Sequence, residues 1–141
     1  MSPESLVPAR RPRHLRVLVM NHHSEVQDAI THLLSGFEEL VVVGQARNGA
    51  SALAIAAQVF ADVVLVDLDL EPNRGAVIAA QIRGLLPQVH ILLTSQVDCD
   101  LRCDQASPQY VDRLVKVGDL NATLPALIAR WRDASGDRGS P

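Results

Sequence analysis

The sequence predicts a doubly wound α/β domain built on a five-stranded parallel sheet. Two observations carry this. Short, wholly apolar and β-branched runs alternate with helix-period segments along most of the chain, and the apolar runs lack the in–out alternation of a half-solvated strand. Strands buried on both faces and separated by helices close into a parallel sheet covered on both sides. The chain has 141 residues, enough for one domain with a substantial core.

The elements follow in order. Residues 1–14 are rich in Pro, Arg and Ser without hydrophobic period, and read as a flexible arm. Arg10, Arg11, Arg13 and Arg16 in or beside it have no aromatic neighbours and read as a solvated tail rather than a nucleic-acid contact. The run "RVLVM" is the first strand, and Val26, Ile30, Leu33, Leu34 and Phe37 then fall on one helical face. Ser24 with Gln27 three residues later has the form of a capping box, which would start that helix. "ELVVVGQA" is the second strand, and Asn48 is placed to cap a helix carrying Leu53, Ala56, Ala57 and Phe60.

"DVVLVDL" is the third strand, followed by a loop with Pro72 and Gly75 and a helix with Ile78, Ile82 and Leu85. "VHILLTS" is the fourth strand. "DCDLRCDQASP" has few apolar anchors and gives the weakest helix of the chain. "YVDRLVK" is a shorter, more polar fifth strand suited to a sheet edge. Leu120, Leu124, Leu127, Ile128 and Trp131 form the stripe of a last helix, which either starts after Pro125 or bends there. The domain is expected over residues 15–131, with 132–141 as a flexible tail. Five strands at this length suit the flavodoxin-like order 2-1-3-4-5, in which ligands bind beyond the carboxyl ends of the strands.

Composition narrows the function classes. Net charge is −3, so no overall basic field points to nucleic acid or an anionic membrane. No apolar run approaches the roughly 18 residues of a membrane span, and the N-terminus lacks the apolar core of an export signal, so a cytoplasmic protein is expected. Cys99 and Cys103 are the only cysteines, too few for a disulfide framework or a four-thiolate metal site, and read as free thiols. "NHHSEV" after the first strand offers no Gly-rich or Ser/Thr-rich phosphate loop, which argues against flavin and dinucleotide chemistry.

The polar residues at the strand ends carry the functional reading. Asn21 and His22 follow strand one, Asp67 ends strand three, Thr94 and Ser95 end strand four, and Lys116 ends strand five. A carboxylate can take a phosphoryl group as a nucleophile, and a hydroxyl and an ammonium can hold its oxygens. An ordinary Asp–Lys ion pair with a capping Thr is the other reading of the same three residues.

With these residues in place, the chain resembles the receiver domains of bacterial two-component response regulators, in particular those preceding NarL-type DNA-binding domains, and its fold resembles the CheY-like fold. The resemblance covers roughly Leu15 to Trp131 and rests on "RVLVMNHHSEV", "ADVVLVDLDLEPNRG", "VHILLTSQVD" and "DRLVKVGDL". It implies Asp67 as phosphoacceptor, with Thr94 and Lys116 stabilising the phosphoryl group, a histidine kinase as donor, and no enzymatic activity of the domain's own.

The departures from the pattern matter as much. Two adjacent acids that hold Mg²⁺ with the phosphoacceptor are replaced by Asn21 and His22. Mg²⁺ wants hard oxygen ligands in octahedral geometry, and the charge that would attract it is missing. No cofactor is therefore expected, with Mg²⁺ weak at best through Asp67 and the backbone carbonyl of Asp69. Phosphoryl transfer then lacks the ion that neutralises the developing charge. Arg113 stands at the usual aromatic switch position, Glu71 where a loop proline is usual, and Val117 where a proline often follows the lysine.

Two functions follow as expectations. One is a degenerate receiver that dimerises or binds a signalling partner through the face of the fourth helix, fifth strand and fifth helix. The alternative is a working phosphoacceptor. A transition-metal site at His22 and His23 lacks a third ligand by any spacing rule. A histidine beside the phosphoacceptor could also make partner binding respond to pH.

Overall fold

The computed structural model describes residues 14–68, 74–96 and 113–139. Five strands are present: β1 (Leu15–Met20), β2 (Leu40–Ala46), β3 (Val63–Asp67), β4 (His90–Ser95) and β5 (Arg113–Lys116). Between and after them lie α1 (Ser24–Leu34), α2 (Gly49–Val59), α3 (Arg74–Leu85), a 3₁₀ turn (Val117–Asp119) and the C-terminal helix α4 (Leu120–Gly139). The sheet is parallel throughout with order β2-β1-β3-β4-β5, as the sequence predicts.

The apolar strands are explained by two cores, one on each sheet face. Val17 and Val19 of β1 and Leu65 of β3 join Ile30 and Leu34 of α1 and Leu120, Leu124, Leu127, Ile128 and Trp131 of α4. Leu18 and Met20, Val64 and Val66, and Ile91 and Leu93 face the other way, toward Ala52 and Ala56 of α2 and Ile78, Ala79 and Ile82 of α3. Successive strand residues thus serve opposite cores, and neither face can be polar.

Several local expectations are corrected. The capping box does not form: His23 is the N-cap of α1, without a side-chain bond to the helix, and Ser24 is its exposed first residue. Gln27 instead turns inward, where its amide donates to Val19 O (3.2 Å) and Ala46 O (2.8 Å). Its helical face lies over the sheet, so the side chain reaches two strands rather than back to the cap.

Asn48 does cap α2, accepting from Ser51 N at 2.8 Å. The buried stripe of that helix is shifted, however, to Ala52 and Ala56. Ala57 is exposed, and Phe60 lies past the helix end with φ 54° and 77% of its surface exposed. On α3, Leu85 is likewise exposed while Ile78 and Ile82 are buried.

The C-terminal helix begins before Pro125, not after it. The 3₁₀ turn leads into Leu120, and the five apolar residues of the predicted stripe are all buried. The helix also runs on to Gly139, through most of the 132–141 segment expected as a tail. A helix already nucleated by packing extends at little cost through Arg132, Asp133 and Ala134, and Arg132 lies 3.9 Å from Glu39, the residue just before β2. Arg16 belongs to β1 rather than to the arm, and its Nε donates to Val59 O at 2.9 Å.

The expected fourth helix and residues 110–112 of the expected fifth strand lie outside the described residues, as do most of the arm, Asp69, Glu71, Pro72, Cys99 and Cys103. Among the described residues no helix is long and apolar enough to cross a membrane.

Candidate functional site at the carboxyl ends of the strands

A parallel sheet brings every strand's carboxyl end to one rim, and the register fixes who meets whom. Asp67 pairs with Thr94 across β3 and β4, and Ser95 pairs with Lys116 across β4 and β5. With strands about 4.8 Å apart, the Asp67 and Lys116 backbones stand roughly 10 Å from one another. Asp67 and Thr94 are both 1% exposed, and Lys116 is half-buried. The three predicted residues therefore share one rim. The Thr94 hydroxyl donates to Val66 O at 3.4 Å, and Leu68 N donates to Thr94 O at 2.8 Å, which stitches the end of β3 to β4.

The corner after β1 approaches Asp67 from the other side. Asn21 is 1% exposed. Its N–H donates to Ala46 O at 3.0 Å, and its Oδ1 accepts from His23 N at 2.9 Å. The side chain thereby closes a tight turn within the corner. His22 reaches across to Asp67: its backbone N–H lies 3.3 Å from Oδ2, and its Nδ1 is hydrogen-bonded to the same oxygen. The His22 side chain is 32% exposed against 1% for Asp67, so the imidazole lies over a buried carboxylate.

The corner turn also brings the His22 and His23 rings together, centroids 3.9 Å apart and planes tilted by 41°. Of the two rings, that of His22 is hydrogen-bonded to Asp67, and among the described residues no three His, Cys, Asp or Glu side chains are grouped to hold a metal.

Two positions that the sequence reading missed support the site. Gln27 bonds Val19 and Ala46 next to the corner; its signal was a polar residue in phase with Ile30 and Leu34. Gly75, in the first turn of α3, lies where a Cβ would stand 2.5 Å from Asp67 O and 2.7 Å from Leu68 Cα. Its lack of a side chain lets α3 begin directly against Asp67. Arg113 is exposed at the start of β5 beside Leu92, well below the rim.

The donor set does not fit the Mg²⁺ that a receiver-type site implies. Asn21 brings a neutral oxygen already bonded to His23, and His22 brings a ring nitrogen already bonded to Asp67. An imidazole is also a poor ligand for so hard a cation.

Comparison with known proteins gives a consistent result. Residues 17–127 match the family described as the response regulator receiver domain. The chain is 34% identical over 101 residues to the response regulator protein VraR of Staphylococcus aureus, covering 72% of this chain and 48% of that protein. It is similar to the receiver domain of the response regulator NarL from Mycobacterium tuberculosis, at TM-score 0.71 and 25% identity over 84% of this chain and 98% of that one. The isolated receiver domain of RcsB from Salmonella enterica, solved with the phosphomimetic BeF₃⁻, is similar in fold at TM-score 0.71 and 19% identity, covering 82% and 88%. The chain spans about half the length of the curated relatives it matches.

Proposed function

Because this chain belongs to the response regulator receiver domain family, we propose that it serves two-component signalling as a protein-interaction module independent of Mg²⁺-supported phosphorylation. The observation that carries this is the corner. Where two carboxylates would hold the ion, Asn21 is bonded to His23 and His22 is bonded to Asp67. Attack by a carboxylate on phosphorus needs its oxygen free and the phosphoryl charge neutralised. Asp67 Oδ2 is engaged by His22, and the corner beside it carries an amide and an imidazole in place of acids.

In this reading the domain is not an enzyme and works in the cytoplasm. Its partner is a histidine kinase or another signalling protein, and its own second copy docks through the face carrying β5 and α4. Arg113, exposed on β5, belongs to that face, where a charge replaces the aromatic side chain a switching mechanism would reorient. The second reading, a phosphoacceptor at Asp67, is favoured by one fact: Asp67, Thr94 and Lys116 keep their three adjacent strand ends.

Acetyl phosphate or beryllofluoride with Mg²⁺ separates the two. The expected result is intact mass, spectra and oligomeric state indistinguishable from those of an Asp67→Ala control. A phosphoryl mass gain that Asp67→Ala abolishes would establish the phosphoacceptor instead.

A further inference from the structure

We propose that the His22 side chain is a resident substitute for the divalent ion, a tether that satisfies Asp67 from within the chain and fixes the β1–α1 corner to the end of β3. The inference rests on the reading of this site as Mg²⁺-independent and adds what takes the ion's place.

The geometry is specific. A carboxylate oxygen offers two lone-pair sites and, when ionised, only accepts. At Asp67 Oδ2 both are met by one residue, through the His22 backbone N–H at 3.3 Å and through Nδ1. With Asp67 ionised, the imidazole is the donor in the side-chain contact. A carboxylate 1% exposed is costly to bury without such donors. Two N–H groups on one oxygen supply part of what a bound cation would.

The tether is also well anchored. Asn21, one residue earlier, is pinned by Ala46 O and closes the turn onto His23 N. His23, one residue later, is the N-cap of α1 and sets its ring at a tilt beside that of His22. Gln27 then holds α1 to β1 and β2. From the other side, α3 starts against Asp67 O at Gly75.

The consequence is a difference in kind. A dissociable ion links corner and strand only while it is bound, and its occupancy follows its concentration. A side chain does not dissociate. The rim is therefore held in one arrangement at all Mg²⁺ concentrations, as suits a module that presents a constant surface.

The test is a two-residue cycle of His22→Ala and Asp67→Asn in the full chain, with thermal unfolding in chelator and in Mg²⁺ and no phosphoryl donor. For the unsubstituted chain, the melting temperature is expected to be the same in both. His22→Ala lowers it. Asp67→Asn lowers it in the parent and lowers it less in the His22→Ala background, where the imidazole contact it would weaken is already gone. His22→Asp, which returns an acid to the corner, should gain about 3–5 °C at Mg²⁺ near ten times its dissociation constant.

Equal effects of Asp67→Asn in both backgrounds would overturn the proposal, as would a parent chain stabilised by Mg²⁺ as strongly as His22→Asp. If His22→Asp fails to fold, the alanine cycle still decides. The two proposals fail separately. An Asp67-dependent mass gain with the coupling intact refutes the phosphorylation-independent reading alone. Loss of coupling without a mass gain refutes only the tether.

Discussion

Gly75 makes the sharpest test of how the site is built, because its neighbours cannot yield cheaply. A Cβ there would lie 2.5 Å from Asp67 O, 2.7 Å from Leu68 Cα and 3.2 Å from Asp67 C, all backbone atoms. The first distance is about 0.8 Å short of an ordinary carbon–oxygen contact. Either the start of α3 or the end of β3 must move in Gly75→Ala. Overpacking of this kind costs about 1–3 kcal/mol. Alanine returns up to about 1 kcal/mol of helix propensity, and less in a first turn. The net expectation is a loss of about 1–2 kcal/mol, or roughly 3–6 °C in melting temperature for a chain of this size. Gly84→Ala in the same helix is the control. No atom lies within 4 Å of its Cβ position, so it keeps the propensity gain and should stabilise by about 0.5–1 kcal/mol. Urea unfolding of both variants, with unchanged slope, isolates the clash as their difference. Equal stability of the two variants would refute the close approach of α3 to Asp67.

Two further predictions concern residues whose roles the structure reveals. Gln27→Ala withdraws both amide hydrogen bonds from Val19 O and Ala46 O inside the protein, and should cost about 1–3 kcal/mol in urea unfolding. A change within a few tenths would mean that neither bond contributes. Phe60→Gly should stabilise by about 0.5–1 kcal/mol. The residue holds φ 54° and is 77% exposed, so little packing is lost when the left-handed backbone is relieved. A lower melting temperature for that variant would show that the ring packs more than its exposure implies.

The fold was legible because its strands admit few other readings. Val63–Val66 and Ile91–Leu93 are apolar on every residue, and only a sheet covered on both faces buries them all. Helix phase was harder where composition offers no contrast. In "GASALAIAAQV" alanines stand on the buried and exposed sides alike, so nothing marks Ala52 and Ala56 as the core. Phe60 drew the stripe the wrong way because hydrophobicity was weighed without the left-handed turn that takes it out of phase. Gln27 fitted a local capping pattern, but its actual partners lie 8 and 19 residues away. The extension to Gly139 escaped notice because charged residues carry no core signal, although they are compatible with a helix.

The rim was half legible, and the missing half lies in side-chain contacts across the sheet. Strand ends alone identified Asp67, Thr94 and Lys116. The pairing of His22 with Asp67 spans 45 residues and depends on a side-chain direction no sequence pattern encodes. Neither Asn21 nor His22 belongs to either hydrophobic core, so the packing that defines the domain is indifferent to them. Asn21 retains the oxygen that closes the turn onto His23 N, the same bond a carboxylate oxygen would accept there, while losing the charge. His22 replaces a group that would repel Asp67 with one that donates to it. Carboxylates crowded at one rim repel one another, whereas an amide and an imidazole beside a single carboxylate do not. The two replacements are therefore coupled: Asn21 preserves the turn that aims the corner at β3, and His22 uses that aim to supply the donors.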